Sequence, residues 1–178
     1  AERIYRYQLA YPERPVMLVG HSGGGGMAIY TAEKLVGSNI QGVLLLNAAI
    51  SKDYRLMRAL RRSDCGIVNY YSPLDMVVRL GTLVAGTMDS RYSESAGSVG
   101  FEVPTTLPPE YDSLYQIGWS QEMIESFYIG NHLTSSSADY IEKYVAPLVM
   151  ASEWDQAYVD QVKAGKGQAA LRSARWYH

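Results

Sequence analysis

The segment Gly20-His21-Ser22-Gly23-Gly24 fits the pattern Gly-x-Ser-x-Gly, in which a serine hydroxyl is presented as a nucleophile at a sharp turn between a strand and a helix. Gly20 and Gly24 are expected to lie close to the neighbouring strand and helix, where a side chain would not fit. The N–H of Gly23, at the start of the helix, is predicted to face a developing oxyanion. The alternative is an inert serine in a glycine-rich turn.

A serine nucleophile needs a general base near neutral pH, and histidine, with an unperturbed pKa of about 6.5, is the suitable side chain. The chain has three histidines. His21 adjoins the serine, where a sharp turn is expected to direct its ring away from the hydroxyl, and His178 is the last residue. We therefore predict that His132, in Gly130-Asn131-His132, is the base; the alternative is a loop histidine bonded to solvent.

The base in turn needs a carboxylate that orients it, and this group is expected at the carboxyl end of another strand. Asp75 follows the apolar segment ending at Tyr71 and is the predicted acid. Asp53, Asp89 and Asp112 are its competitors. With Asp75 the chain order of the three groups is Ser, Asp, His.

The same glycines can be compared with two phosphate-binding patterns. A Walker A loop requires a lysine directly after its last glycine, and no lysine follows until Lys34, which excludes this motif. The looser dinucleotide pattern fits at Gly23-x-Gly25-x-x-Ala28. Because Asn47-Ala48-Ala49 offers no acidic group for a ribose, dinucleotide binding is the weaker alternative.

Apolar runs bounded by glycine, proline and polar residues predict the elements that position these side chains. Buried strands separated by a helix predict a parallel sheet with right-handed crossovers, and hence an α/β fold. The predicted strands are Val16–Val19, Gly42–Asn47, Gly66–Tyr71 and Leu114–Trp119, and the predicted helices are Met27–Leu35 and Ser51–Arg62.

The rest of the chain differs in composition from the predicted strands and helices. Gly, Ser, Thr and Pro predict a long loop over residues 81–112. A helix is predicted to begin after Ser137 and to bend or end at Pro147. We expect residues 1–150 to form the core and residues 151–178 a polar C-terminal tail with one helix, at Trp154–Val162.

Composition excludes or disfavours several functional classes of protein. The 178 residues, 47% of them hydrophobic, suit one domain, and a net charge of -2 disfavours nucleic-acid binding. The apolar runs are too short for a membrane-spanning helix. Cys65 is the only cysteine, which excludes an intrachain disulfide and a thiolate zinc cluster, predicts no metal site, and weakly favours a reducing, cytoplasmic compartment.

The chain from Pro15 to about Val149 resembles the serine hydrolases of the α/β-hydrolase fold, and more narrowly a group of uncharacterised bacterial members. The resemblance rests on Val-Gly-His-Ser-Gly-Gly-Gly-Gly, Asn-Tyr-Tyr-Ser-Pro-Leu-Asp, and Gly-Asn-His with the later Tyr-Val-Ala-Pro-Leu. It implies a three-layer α/β/α fold and two-step hydrolysis of a small-molecule ester or amide through an acyl-enzyme, without a cofactor. The roles it implies are nucleophile Ser22, acid Asp75, base His132 and oxyanion donor Gly23, with His21 and Tyr71 near the acyl pocket.

Members of this fold have several strands before the nucleophile, whereas only Ala1–Arg14 precede the first strand here. We therefore expect an N-terminally incomplete sheet, without the loop that supplies a second oxyanion donor. Its apolar edge at Val16–Val19 is expected to be completed by a protein partner or an upstream segment. The alternative function is a catalytically weak or inactive subunit with a structural or interaction role in a larger assembly.

Overall fold

Four parallel strands form one sheet in the order β1-β2-β3-β4. The computed structural model describes residues 1–106 and 108–167. All four predicted strands are present, with ends within two residues of those expected, and the α/β class with a parallel sheet is confirmed. The strands are β1 (Met17–His21), β2 (Gly42–Leu46), β3 (Ile67–Tyr71) and β4 (Leu114–Gly118).

One helix precedes the first strand, and the others connect the strands or follow the last one. The α-helices are α1 (Glu2–Ala10), α2 (Gly23–Glu33), α3 (Met57–Leu60), α4 (Met76–Ala85), α5 (Ala96–Val99), α6 (Ala138–Tyr140), α7 (Ala146–Met150) and α8 (Gln156–Lys163). A π-helical turn at Ile141–Val145 joins α6 to α7, and 3₁₀ turns lie at Pro109–Ser113, Gln121–Ser126 and Thr134–Ser136.

Several helix boundaries differ from the prediction. Helix α2 begins at Gly23 rather than Met27, so the glycines belong to its first turn. Helix α3 covers only Met57–Leu60 of the predicted Ser51–Arg62. Helices α1 and α4 were not predicted. In α4 only Val78 and Thr82 are buried, so its sequence lacks the broad apolar stripe that identifies a helix packed on a core.

The predicted long loop at residues 81–112 is wrong in part. Helix α4 extends into it, and α5 lies in its middle with Ala96 fully buried. Gly97 donates its N–H to Ala48 O (2.9 Å) and accepts from Ser72 N (3.0 Å). Helix α5 therefore ties together the segments that follow β2 and β3, where the candidate site lies.

Two hydrophobic clusters occupy the two faces of the sheet. Because side chains alternate along a strand, Val43 and Leu45 belong to one cluster while Leu44 and Leu46 belong to the other. Residues of α2 pack in the first cluster, including Ile29. The second is rich in tyrosine, with Tyr70, Tyr128, Tyr140 and Tyr144 almost completely buried.

The helical segment begins directly after Ser137, as predicted, but differs from its prediction at Pro147. Ser137 precedes α6, but its hydroxyl donates to Ser126 O (2.9 Å) and makes no side-chain cap. Pro147 does not end the helix, which continues to Met150. Proline has no N–H and therefore cannot donate a hydrogen bond to the carbonyl four residues earlier. The π-helical turn immediately before α7 accommodates the missing hydrogen bond.

The predicted helix at Trp154–Val162 is present as α8, which runs from Gln156 to Lys163. Trp154, Val159 and Val162 are buried in the tyrosine-rich cluster. The remainder of the predicted tail, at 168–178, lies outside the described residues, and so does His178.

Candidate active site

Ser22 lies between β1 and α2 in a backbone conformation with φ 56° and ψ −126°. A positive φ is unfavourable for a residue with a side chain, at a cost of about 1–3 kcal/mol. Three hydrogen bonds of 3.0 Å hold it: Ser22 N donates to Leu46 O, and Ser22 O accepts from Gly25 N and Ala49 N. The hydroxyl group is therefore carried on a tightly fixed turn at the carboxyl end of β1, and the residue is partly exposed.

Glycines allow this turn to pack closely, although not all at the expected positions. A Cβ on Gly20 would lie 2.7 Å from the carbonyl carbon of Gly24, and one on Gly25 would lie 2.5 Å from Ala48 Cβ. A Cβ on Gly24 would meet no atom within 4 Å. The expectation of close approach is therefore right for Gly20 and wrong for Gly24, because it is the Gly24 backbone that lies against Gly20.

The N–H of Gly23 is at the first position of α2, where helical hydrogen bonding leaves donors free. In the described part of the chain it donates to no backbone carbonyl. Met88, a residue that sequence reasoning missed, lies over this turn, with its Sδ 3.3 Å from the point where a Gly23 Cβ would be. Gly23 thus offers a free donor next to Ser22, beside a thioether.

Asp75 is completely buried and caps α4, where its Oδ1 accepts the N–H of Val78 (3.0 Å). Its Oδ2 accepts from Asn47 Nδ2 and is bonded to His132 Nδ1, both at 2.7 Å. An ionised carboxylate only accepts hydrogen bonds, so all three partners act as donors to it.

The competing aspartates lie elsewhere. Asp53 pairs with Arg91 at the surface, Asp89 accepts from Ser51 N (3.0 Å) and Oγ (2.9 Å), and Asp112 is exposed in a 3₁₀ turn. Among the described residues, Asp75 alone pairs its carboxylate with a histidine.

His132 lies in the segment between two 3₁₀ turns and is 9% exposed. Asn131 stabilises this segment: its Oδ1 accepts from Leu133 N, Thr134 N and Thr134 Oγ1 at 2.9–3.2 Å. With Nδ1–H directed at Asp75, the neutral ring has Nε2 as its proton acceptor. Within the described structure, Ser22 Oγ forms no hydrogen bond with this ring.

His21 contacts His132 through its ring. Its Nε2 lies 3.0 Å from His132 O, and the two rings are tilted by 40° with centroids 4.5 Å apart. Burial lowers the pKa of His21, and the nearby His132 ring acts in the same direction, against the raising effect of the hydrogen bond. The lowered pKa favours the neutral form of His21, and the ring contact places His132 beside the residue that directly precedes Ser22.

Tyr71, the other residue expected near an acyl pocket, ends β3. Its ring packs beside Gly100 and Gly118; a Cβ on Gly118 would lie 2.9 Å from the Tyr71 hydroxyl oxygen. The structure shows no contact of this ring with Ser22, Asp75 or His132.

Two polar residues behind the Asp75–His132 pair were not predicted. Asn47, fully buried with φ 49°, donates to Asp75, and its side-chain oxygen accepts from the Tyr128 hydroxyl (3.3 Å). Burial raises the pKa of Tyr128 to about 12 and keeps its proton in place. Asn47 follows a buried apolar strand, as Asp75 does, and the rule that located Asp75 could have located it too.

In residues 1–106 and 108–167, no group of three or more His, Cys, Asp or Glu side chains is arranged to hold a metal ion. Nor does any helix in this part of the chain combine the length and apolar character needed to cross a bilayer. Comparisons with models of known protein families, with curated proteins and with solved structures find no match.

Proposed function

We propose that this protein is a serine hydrolase that cleaves carboxylic esters or amides through an acyl-enzyme. Ser22 Oγ attacks the carbonyl carbon while His132 Nε2 takes the hydroxyl proton, and the Gly23 N–H donates to the resulting oxyanion. The tetrahedral intermediate then collapses: the bond to the leaving group breaks, and His132 returns the proton to that group. Water attacks the acyl-enzyme by the same route, releasing the acid and restoring Ser22.

The observation that carries this proposal is the buried 2.7 Å hydrogen bond between Asp75 and His132, whose ring contacts His21, the residue directly before the strained turn at Ser22. A carboxylate bonded to Nδ1–H holds the imidazole in the tautomer whose Nε2 accepts a proton, and stabilises the imidazolium that forms. The hydrogen bond between base and nucleophile is commonly long in unliganded enzymes and shortens when substrate binds. An unbonded Ser22 hydroxyl is compatible with this role.

We propose further that the parallel sheet and its helices belong to a three-layer arrangement of the α/β-hydrolase type. Support comes from the sharp strand-to-helix turn at Ser22, from an acid that follows β3 and a base that follows β4, and from hydrophobic clusters on both faces of the sheet.

Apolar side chains exposed on both sides of the site favour a substrate with an apolar acyl or alcohol group. One set belongs to α4 and the residues before it, and the other to the segment around His132. The two sets meet at Gly130 and Leu74, where a Cβ added to Gly130 would lie 3.0 Å from Leu74 Cδ1. These side chains are Leu74, Met76, Val77, Leu80, Leu83, Val84, Phe127, Ile129 and Leu133, each at least 45% exposed.

Reaction with a fluorophosphonate probe tests this function directly. Ser22 Oγ attacks phosphorus, fluoride leaves, and peptide mass spectrometry locates the adduct. We expect labelling at Ser22 in the wild-type protein, none in Ser22→Ala, and normal labelling in Ser136→Ala, whose serine is exposed at the surface. His132→Ala should abolish labelling and His21→Ala should not. A folded wild-type protein that takes no label would refute the proposal, and a greater loss with His21→Ala would refute the base assignment.

A second candidate function is a weakly active or inactive subunit of this fold that binds a protein partner. Among the residues that the structure describes, no strand pairs with the outer edge of β1, and this edge favours the second candidate. Ser22 N and Val16 O form hydrogen bonds on the β2 side of β1. Because backbone groups point to alternate sides along a strand, the N–H and C=O of the odd-numbered Val19 face away from the sheet. The Val19 side chain is 51% exposed. Pairing with another chain would make β1 amides resist hydrogen exchange only in the assembly. A monomer by light scattering whose β1 edge amides are already protected would refute this candidate.

A further inference from the structure

His132 lies on a segment that no strand or long helix supports, yet a general base must be placed accurately with respect to its nucleophile. Asp75 fixes the ring of His132 through Nδ1. The backbone carbonyl of His132 accepts two further hydrogen bonds, from Ser135 Oγ (2.9 Å) and from the His21 ring (3.0 Å). Ser135 belongs to the same segment as the base, whereas His21 comes from the strand that carries the nucleophile.

His21 connects the sheet to the segment that carries His132. It is the last residue of β1, pairs with Leu46 of the central strand β2, and directly precedes Ser22. With the ring neutral, Nε2 carries the proton that it donates to His132 O, and the tilted ring packs on the His132 ring at 4.5 Å. Two independent contacts thus join the nucleophile's strand to the base.

We propose that His21 is a positioning residue, which sets the distance and angle between Ser22 and the His132 ring through the Nε2–H bond to the His132 carbonyl. This inference rests on the proposed hydrolase function and assigns His21 a different role from that of a substrate-pocket residue. A displacement of about 1 Å in a reacting group costs on the order of 10²-fold in rate. The loss of His21 should therefore slow acylation without preventing it.

The charge state of His21 suits this role. The titratable groups that face it are His132 and Asp75. A neutral His21 adds no positive charge beside His132 at the step in which His132 becomes an imidazolium, whereas a second cation 4.5 Å away would oppose that step.

Three substitutions separate the hydrogen bond from the ring contact. His21→Gln places an amide N–H near the position of Nε2, His21→Asn places one near Nδ1 and cannot reach the carbonyl, and His21→Phe keeps a ring without a donor. The readout is fluorophosphonate labelling as a function of probe concentration, which yields a limiting rate and a half-saturating concentration.

We expect the limiting rate to fall about 10- to 100-fold in His21→Asn and His21→Phe and to recover in His21→Gln, with the half-saturating concentration unchanged in all three. A pocket-lining role would instead move the half-saturating concentration. Wild-type limiting rates in both His21→Asn and His21→Phe would overturn the proposal, and so would a Gln variant as slow as the Asn variant. The Asn and Gln pair keeps the test valid if His21→Phe does not fold.

Proton NMR of the His132 Nδ1–H resonance gives a second readout that does not depend on turnover. A positioned ring should give a sharp, downfield resonance in the wild type and in His21→Gln, and a broadened or shifted one in His21→Asn. An identical resonance in all three would refute the positioning role. If the wild-type protein takes no label, the hydrolase proposal is refuted. The Nδ1–H resonance would still show whether His21 positions the His132 ring.

Discussion

Replacement of Asp75 by asparagine removes one charge from a buried site and leaves its shape nearly unchanged. The carboxylate accepts three hydrogen bonds, from Val78 N at Oδ1 and from Asn47 Nδ2 and His132 Nδ1 at Oδ2. An asparagine has one oxygen and one NH₂ group, so it can satisfy only one side of this arrangement. The consequence depends on which way the amide is turned.

If the amide oxygen replaces Oδ2, then His132 and Asn47 keep their acceptor, and the new NH₂ group faces the N–H of Val78. If the amide is turned the other way, the NH₂ group faces Asn47 Nδ2, and His132 must accept at Nδ1 and carry its proton on Nε2. The first arrangement leaves a buried donor without a partner, at a cost of about 1–3 kcal/mol of unfolding free energy. The second also removes the proton acceptor that Ser22 needs.

In both arrangements the imidazolium loses its neighbouring negative charge. We expect Asp75→Asn to lower the limiting rate of fluorophosphonate labelling by about 10⁴-fold, the loss typical of this substitution in a serine–histidine–aspartate site. That loss corresponds to about 5 kcal/mol of activation free energy.

Labelling followed by intact-protein mass spectrometry gives the rate, and urea denaturation gives the stability. Asp112→Asn is the matched control, since it makes the same chemical change at an exposed aspartate, and it should alter neither quantity. A folded Asp75→Asn protein that labels within tenfold of the wild-type rate would show that the buried pair does not activate Ser22.

Three further predictions concern the turn, His21 and the substrate. Gly20→Ala should destabilise the protein by about 1–3 kcal/mol because its Cβ would press on the Gly24 backbone. Gly24→Ala, with open space around its Cβ, should stabilise it by about 0.4–1 kcal/mol; equal urea midpoints for the two variants would contradict this contrast. The pKa of His21 is lowered on folding, so its contribution to stability is complete above its ordinary pKa and is lost as pH falls through the lowered value. Thermal unfolding should therefore show a larger loss of stability from about pH 7 to about pH 5 in the wild type than in His21→Gln, and parallel losses would refute this. A p-nitrophenyl octanoate ester should give a higher kcat/KM than the acetate if the apolar surface of α4 binds the acyl group, and a preference for the acetate would exclude that contact.

The strands and the turn at Ser22 could be predicted because their signals are local. An unbroken apolar run such as Gly42–Leu46 is typical of a strand in a parallel sheet that is covered on both faces, and its ends are marked by polar or turn residues. The buried helix α5 could not be predicted in this way. Its sequence Ala-Gly-Ser-Val has no helical period, and it is ordered by two backbone hydrogen bonds, one from Gly97 N to Ala48 O and one from Ser72 N to Gly97 O.

The candidate site shows the same division. Residue type and order predicted Asp75 and His132 as a pair, and the structure brings these two side chains together at 2.7 Å. The action of this pair on Ser22 stays a prediction. The contacts of Asn47 with Asp75 and of His21 with His132 join residues 28 and 111 positions apart and leave no periodic signal in the chain. Such contacts exist only once the carboxyl ends of β1, β2 and β3 lie side by side, so the fold, and not the local sequence, decides which polar groups contact Asp75 and His132.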